Sequence, residues 1–135
     1  MAAPAAHQSY LKARVMTAGQ KDLILMLYSG ATGFLRQGLD AIEKENREEA
    51  HNSIIRARRI VAELMSSLNH EGGEIASNLF ELYGYVFRLL IDANTRQADA
   101  PIREAIDILT TLKEGWEGVP ADAALKEEVA QPTGT

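Results

Sequence analysis

The chain has 135 residues with 46% hydrophobic side chains, no cysteine and a net charge of −5. This length lets one domain bury a core without metals or crosslinks, and the lack of cysteine excludes disulfides, thiolate metal sites and cysteine nucleophiles. The acidic balance disfavours binding to nucleic acid or to anionic lipid surfaces.

Helices are predicted along most of the chain. Proline is absent from residues 5–100, so that stretch keeps every backbone donor, and its apolar residues recur at helical spacing. Thr17 with Gln20, and Asn46 with Glu49, have the spacing of capping boxes and start the first two helices. These signals predict a first helix over residues 18–44 and a second over residues 47–69.

Two further helices follow. Gly72-Gly73 interrupts the periodic pattern, and Glu74 suits the first turn of a third helix over residues 74–97. Asp99 and Pro101 open a fourth helix, which Gly118 closes.

Short connections make sequential helices antiparallel neighbours. The predicted fold is therefore all-α, an antiparallel four-helix bundle formed by residues 18–118. Residues 1–17, rich in alanine and polar side chains, are expected to be a mobile N-terminal cap. Residues 119–135 are expected to form a short tail, either a frayed helix or a disordered segment.

The third helix carries more apolar surface than bundle closure requires. One broad face of this helix is a predicted core stripe of Ile75, Leu79, Leu82, Tyr83, Val86, Leu89 and Leu90, and the core stripe of the second helix includes Met65. Phe80, Phe87 and Ile91 extend the apolar arc of the third helix to roughly 200°, whereas an ordinary surface helix has an arc of about 100°. Such a surface either binds a partner or is covered, by neighbouring helices, the first 17 residues or the tail. Six apolar residues lie off the stripes that close the bundle, or at their edges, and are the candidate partner-binding residues: Leu25, Met26, Ile55, Phe80, Phe87 and Ile91.

No pattern in the chain indicates catalysis. Glu48 and His51 have the Glu-x-x-His spacing of di-iron bundles, but the second pair that such a site needs is missing, so we interpret His51 as solvated. The residues that follow His51 also lack the lysine or glycine typical of a phosphoaccepting histidine. There is no phosphate-binding glycine loop, dinucleotide fingerprint or nucleophile elbow. We therefore expect no enzyme, no cofactor and no metal.

The sequence also gives no sign of export or membrane insertion. Its first residues lack the apolar core of a signal peptide, and no apolar run approaches the roughly 20 residues that span a bilayer. We expect a cytoplasmic protein.

The densest basic cluster is Arg56, Arg58 and Arg59, interleaved with aliphatic residues on the second helix. These arginines either pair with acids of neighbouring helices or contact an acidic stretch of a partner.

Separate segments between residues 10 and 117 match, in order, the signature of a known family. They include Val15-Met16-Thr17-Ala18, the run from Leu23 to Ala31, and Gly72-Gly73-Glu74-Ile75-Ala76. In these segments the chain resembles the FliS family of flagellin-specific export chaperones. The signature positions are Tyr10, Val15, Thr17, Ala18, Leu23, Leu27, Tyr28, Gly30, Gly72, Gly73, Asn78, Tyr83, Asn94 and Trp116.

The resemblance implies a bundle that wraps the disordered C-terminal segment of flagellin around its outside. Such a chaperone prevents premature polymerisation and delivers flagellin to the export apparatus. The resemblance further implies an N-terminal segment that covers part of the binding surface and moves aside. Export-apparatus components or a co-chaperone are further partners to expect. The competing hypothesis is a self-associating structural bundle, with a homodimer interface on the third helix and no flagellin client.

Overall fold

The computed structural model describes residues 20–68 and 73–119, which form four α-helices and, within these ranges, no strand. The helices are α1 (Gln20–Glu43), α2 (Arg47–Ser67), α3 (Glu74–Arg96) and α4 (Asp99–Glu117). The all-α prediction is confirmed, and the helix ends differ from the predicted ones by two residues at most. The proposed cap at residues 1–17 and residues 120–135 of the proposed tail lie outside the described residues, as do Thr17 and Gly72.

The start of α2 shows why the local sequence makes a helix there. Asn46 has an extended backbone, and its side-chain Oδ1 accepts a hydrogen bond from the backbone N–H of Glu49 at 3.2 Å. The Glu49 carboxylate does not reach back to Asn46. Instead, it accepts a hydrogen bond from the Ser53 hydroxyl at 3.2 Å. Half of the predicted capping box therefore forms.

Replacing Asn46 by alanine should lower the free energy of unfolding by about 1 kcal/mol, because an orphan N–H of α2 loses its acceptor. Chemical denaturation of the variant measures this loss. Asn46→Ser is the control, since serine caps as well as asparagine and should keep most of the stability. Equal stability of the alanine variant and the parent protein would show that the cap contributes nothing.

The helices pack as a four-membered bundle. Helix α1 packs against α2 and α4, and α3 packs against the same two helices, so α1 and α3 lie diagonally opposite. Lys21, at the start of α1, donates to the carbonyl groups of Glu117 and Val119 at the end of α4. Arg103, near the start of α4, pairs with Glu43 at the end of α1 at 2.8 Å. Each of these contacts joins the beginning of one helix to the end of another.

The core contains the predicted stripes, with two differences on α3. Tyr28, Leu35, Ile54, Val61, Val86, Leu90, Ile102 and Leu109 are fully buried or nearly so. Ile75 was predicted to be part of the α3 stripe but is 53% exposed, because it lies in the first turn of α3 at one end of the bundle. Leu82 is only partly buried and lies outside the core cluster.

Two tyrosines link the diagonal helices across the core. The hydroxyl groups of Tyr28 on α1 and Tyr83 on α3 share a buried hydrogen bond of 2.6 Å. The pair lets two large aromatic side chains lie in the bundle interior with their polar ends satisfied.

Candidate functional site

An apolar groove runs between α2 and α3. Its larger part has a volume of about 360 Å³ and is lined by Ala62, Met65, Ser66, Phe80 and Phe87. Its smaller part, of about 200 Å³, is lined by Ile55, Arg58, Arg59, Ala62 and Phe87. The two parts share Ala62 and Phe87, so together they form one continuous depression, which we call the α2–α3 groove.

Small residues explain why a groove exists here. Gly84 lies on α3 between Phe80 and Phe87, and a Cβ atom at that position would lie 3.9 Å from the Met65 side chain of α2. Ala62 is the small residue on the facing side of the groove. With no side chain at Gly84 and only a methyl group at Ala62, this part of the surface between α2 and α3 is not filled by long side chains.

The exposed apolar residues of α3 lie along one face of the helix. Phe80, Phe87 and Ile91 follow one another along α3 at intervals of seven and four residues, which places them on one face. Phe80 is 38% exposed and Ile91 is 40% exposed. An exposed apolar strip of this kind suits an amphipathic helix that inserts its own aliphatic residues.

The six candidate partner-binding residues divide into two groups. Ile55, Phe80 and Phe87 line the α2–α3 groove, and Ile91 lies one turn beyond Phe87 on α3. Leu25 and Met26 lie on α1 and line neither part of the groove. Met26 is 47% exposed, whereas the partly buried Leu25 and Phe87 also pack against the core.

Helical angles alone missed part of the groove lining. Ala62, Met65 and Ser66 contribute from α2, although Met65 was assigned to the core stripe. Their spacing from Ile55, at seven, ten and eleven residues, keeps them on one side of α2, and this spacing could have indicated the α2 side of the groove. The depth of the groove depends on how closely α2 and α3 approach, which no local sequence pattern contains.

A second depression lies between α1 and α4. It has a volume of about 400 Å³ and is lined by Arg36, Leu39, Arg103, Ile106 and Asp107. It is slightly larger than either part of the α2–α3 groove, but three of its five lining residues are charged, and Arg103 is already paired with Glu43 and Asp99. We therefore select the mostly apolar α2–α3 groove as the candidate site.

The arginines of α2 do not form the ion pairs expected within the bundle. Among the described residues, no ion pair includes Arg56, Arg58 or Arg59. The Arg58 guanidinium lies 5.0 Å from the ring centroid of Phe87, and that of Arg56 lies 5.7 Å from the ring centroid of Phe34. Two of the three cations are thus positioned by aromatic rings rather than by carboxylates.

Charged groups elsewhere on α3 are paired locally. The hydrogen bonds from Arg96 lower the pKa of the Asp92 carboxyl, and the same pairing raises the pKa of Arg96. Tyr85 donates a hydrogen bond to Glu104 of α4, which raises the pKa of the tyrosine. Tyr85, Asp92 and Arg96 thus each have a hydrogen-bond partner on α3 or α4.

The described residues contain no arrangement suited to metal chemistry. No group of three or more His, Cys, Asp or Glu side chains in residues 20–68 and 73–119 could hold a metal ion. His51 is exposed, and its Nδ1 atom shares a hydrogen bond of 2.9 Å with the Asn94 side chain, consistent with its interpretation as a solvated histidine. No helix in the described part of the chain is long and apolar enough to cross a membrane.

Comparison with known proteins identifies the family. The family model described as flagellar protein FliS matches residues 1–123. The chain belongs to the FliS family. Relatives over most of its length carry consistent names. A flagellar secretion chaperone FliS of Bacillus subtilis is 30% identical, with 82% of each chain covered. A flagellar secretion chaperone FliSB of Pseudomonas aeruginosa is 34% identical, covering 83% of this chain and 90% of the relative. A flagellar secretion chaperone FliS of Salmonella typhimurium is 33% identical, covering 89% and 90%.

Several of the residues that the sequence analysis matched to the FliS family have structural positions. Tyr28 and Tyr83 are the hydrogen-bonded core pair. Gly30 allows α1 and α2 to approach, because a Cβ atom there would lie 3.2 Å from the Ile60 side chain. Gly73 precedes α3 with φ of 87°, a conformation that favours glycine. In this FliS chain, these residues thus help to build the bundle on which the groove lies.

Proposed function

We propose that the protein is a cytoplasmic flagellar export chaperone whose client is the C-terminal segment of flagellin, held in the α2–α3 groove. The observation that carries this proposal is an exposed apolar groove on a chain whose family relatives are named flagellar secretion chaperones. The choice of flagellin follows from the resemblance in sequence. A chaperone acts by binding, so the proposal includes no catalytic step and no cofactor.

A chaperone of this kind needs a large apolar binding surface, which the groove offers. A disordered segment loses conformational entropy when it docks, so its receptor must offer enough apolar surface to offset that loss. The rings of Phe80 and Phe87 and the aliphatic side chains of Ile55 and Met65 offer such a surface. Apolar residues of flagellin buried there would be withheld from polymerisation until export.

The candidate residues suggest how far the client extends. Ile55, Phe80, Phe87 and Ile91 would anchor one helical part of the client along α3. Leu25 and Met26 lie on α1, diagonally opposite α3. They would contact a second part of the same segment, provided that the client wraps around the bundle.

The proposal is tested by measuring the mass of the protein alone and after mixing with a flagellin peptide. Size-exclusion chromatography with light scattering should give a 14.8 kDa monomer for the protein alone and a one-to-one complex after addition of a flagellin C-terminal peptide. A peptide of the same composition in scrambled order is the control and should leave the mass unchanged. A stable homodimer that ignores the flagellin peptide would refute the proposal and support the self-associating bundle.

A further inference from the structure

Arg58 has an unusual position in the α2–α3 groove. Its guanidinium group stacks over the Phe87 ring at 5.0 Å, and its Nε atom is buried. Within the described residues, Nε has no hydrogen-bond acceptor and Arg58 joins no ion pair. The terminal nitrogens likewise have no partner in the described part of the chain, and they are not buried. They are therefore the part of the group that a molecule in the groove can reach.

An arrangement of this kind calls for an acceptor. The terminal nitrogens of Arg58 are strong donors without an acceptor in the described part of the chain, and no carboxylate of the described residues balances the charge of the guanidinium. Arg59 lines the same part of the groove and adds a second positive charge there, although the whole chain has a net charge of −5. This end of the groove is thus locally basic and complementary to an acidic group.

Stacking also fixes the direction of the guanidinium. An arginine clamped on an aromatic ring has lost much of its side-chain freedom before a ligand arrives, so less is lost on binding. Its planar fork can then donate two parallel N–H bonds to one carboxylate. A lysine ammonium offers neither the fork nor the same stacking.

We propose that Arg58 is a specificity-determining residue of the groove and that it binds the carboxylate of an acidic side chain on the client helix. This inference rests on the proposed function and adds to it the chemistry of the client. The bound segment would be an amphipathic helix with aliphatic residues directed at Phe80 and Phe87. Its aspartate or glutamate would lie three or four residues from one of these aliphatic anchors, on the edge that faces Arg58.

The test compares two lysine variants by calorimetric titration with the flagellin C-terminal peptide. Arg58→Lys should raise the dissociation constant about tenfold, because the two parallel charge-assisted hydrogen bonds to the carboxylate are lost while the positive charge stays. Arg56→Lys is the matched control, since Arg56 is on the same helix and also stacks on a ring, that of Phe34, but does not line the groove. It should change the dissociation constant by less than about twofold. If Arg58→Lys does not fold, Arg58→Gln replaces it.

The carboxylate is then located on the peptide. Each aspartate or glutamate of the peptide is replaced in turn by the corresponding amide. One replacement should weaken binding to the parent protein about tenfold and have almost no further effect on the Arg58→Lys variant, as expected for two groups that bind each other.

Two results would overturn the inference. If Phe80→Ala weakens binding but Arg58→Lys and every amide peptide bind like the parent pair, the client uses the groove without contacting Arg58, and the proposed function survives. If the peptide binds and neither Phe80→Ala nor Arg58→Lys has an effect, the site lies elsewhere and the groove assignment fails with the inference.

Discussion

Leu90→Ala should lower the free energy of unfolding by about 2–5 kcal/mol and the melting temperature by roughly 8 °C or more. Leu90 is fully buried in the C-terminal half of α3 and belongs to the main core cluster. Its truncation removes apolar contacts and leaves a cavity that the packed helices can fill only in part. Urea denaturation monitored by circular dichroism measures the loss.

Leu82→Ala provides the matched control for this experiment. Leu82 is the same residue type on the same helix, but it is partly exposed and lies outside the core cluster. The control should cost about 1 kcal/mol or less. Equal losses in both variants would contradict the assignment of the α3 core face.

Phe80→Ala should raise the dissociation constant for the flagellin C-terminal peptide about 30-fold, the equivalent of roughly 2 kcal/mol at a binding hot spot. Phe80 lines the larger part of the α2–α3 groove and is 38% exposed. Because it lies outside the core cluster, the same change should lower the free energy of unfolding by no more than about 1 kcal/mol. Calorimetric titration and a thermal melt of the same sample separate the two effects.

Ile75→Ala is the control for Phe80→Ala. Ile75 is another large apolar residue of α3 and is 53% exposed, but it does not line the groove. Its replacement should leave the dissociation constant within about twofold of the parent value. Equal weakening by both changes would mean that the client recognises exposed apolar surface on α3 in general rather than the groove.

The helices could be predicted from the sequence because their signals are local. Asn46 caps α2 through a bond to a residue three positions away, and the Gly72-Gly73 pair marks the interval before α3. Apolar spacing likewise identified most of the buried faces, since a helix fixes which side chains share one side. Ile75 is exposed although it was predicted to belong to the core stripe, because burial requires a facing residue on another helix as well as the right helical angle.

The groove could be predicted only in part. The apolar excess on the third helix pointed to Phe80, Phe87 and Ile91, and two of these residues line the groove. The contribution of Ala62 and the volume of the groove depend on the distance between two helices, which no single-helix pattern supplies. The stacking of Arg58 on Phe87 joins residues 29 positions apart in the chain and was not predicted for the same reason.

The most direct test of the account locates the client on the bundle. A photo-crosslinking amino acid is placed at Ser66, an exposed residue that lines the α2–α3 groove, or at Asp107, an exposed residue that lines the α1–α4 depression. Each protein is irradiated with the flagellin C-terminal peptide, and the crosslinked product is identified by mass spectrometry. The account predicts a crosslink from position 66 and none from position 107. A crosslink from position 107 with none from position 66 would contradict it.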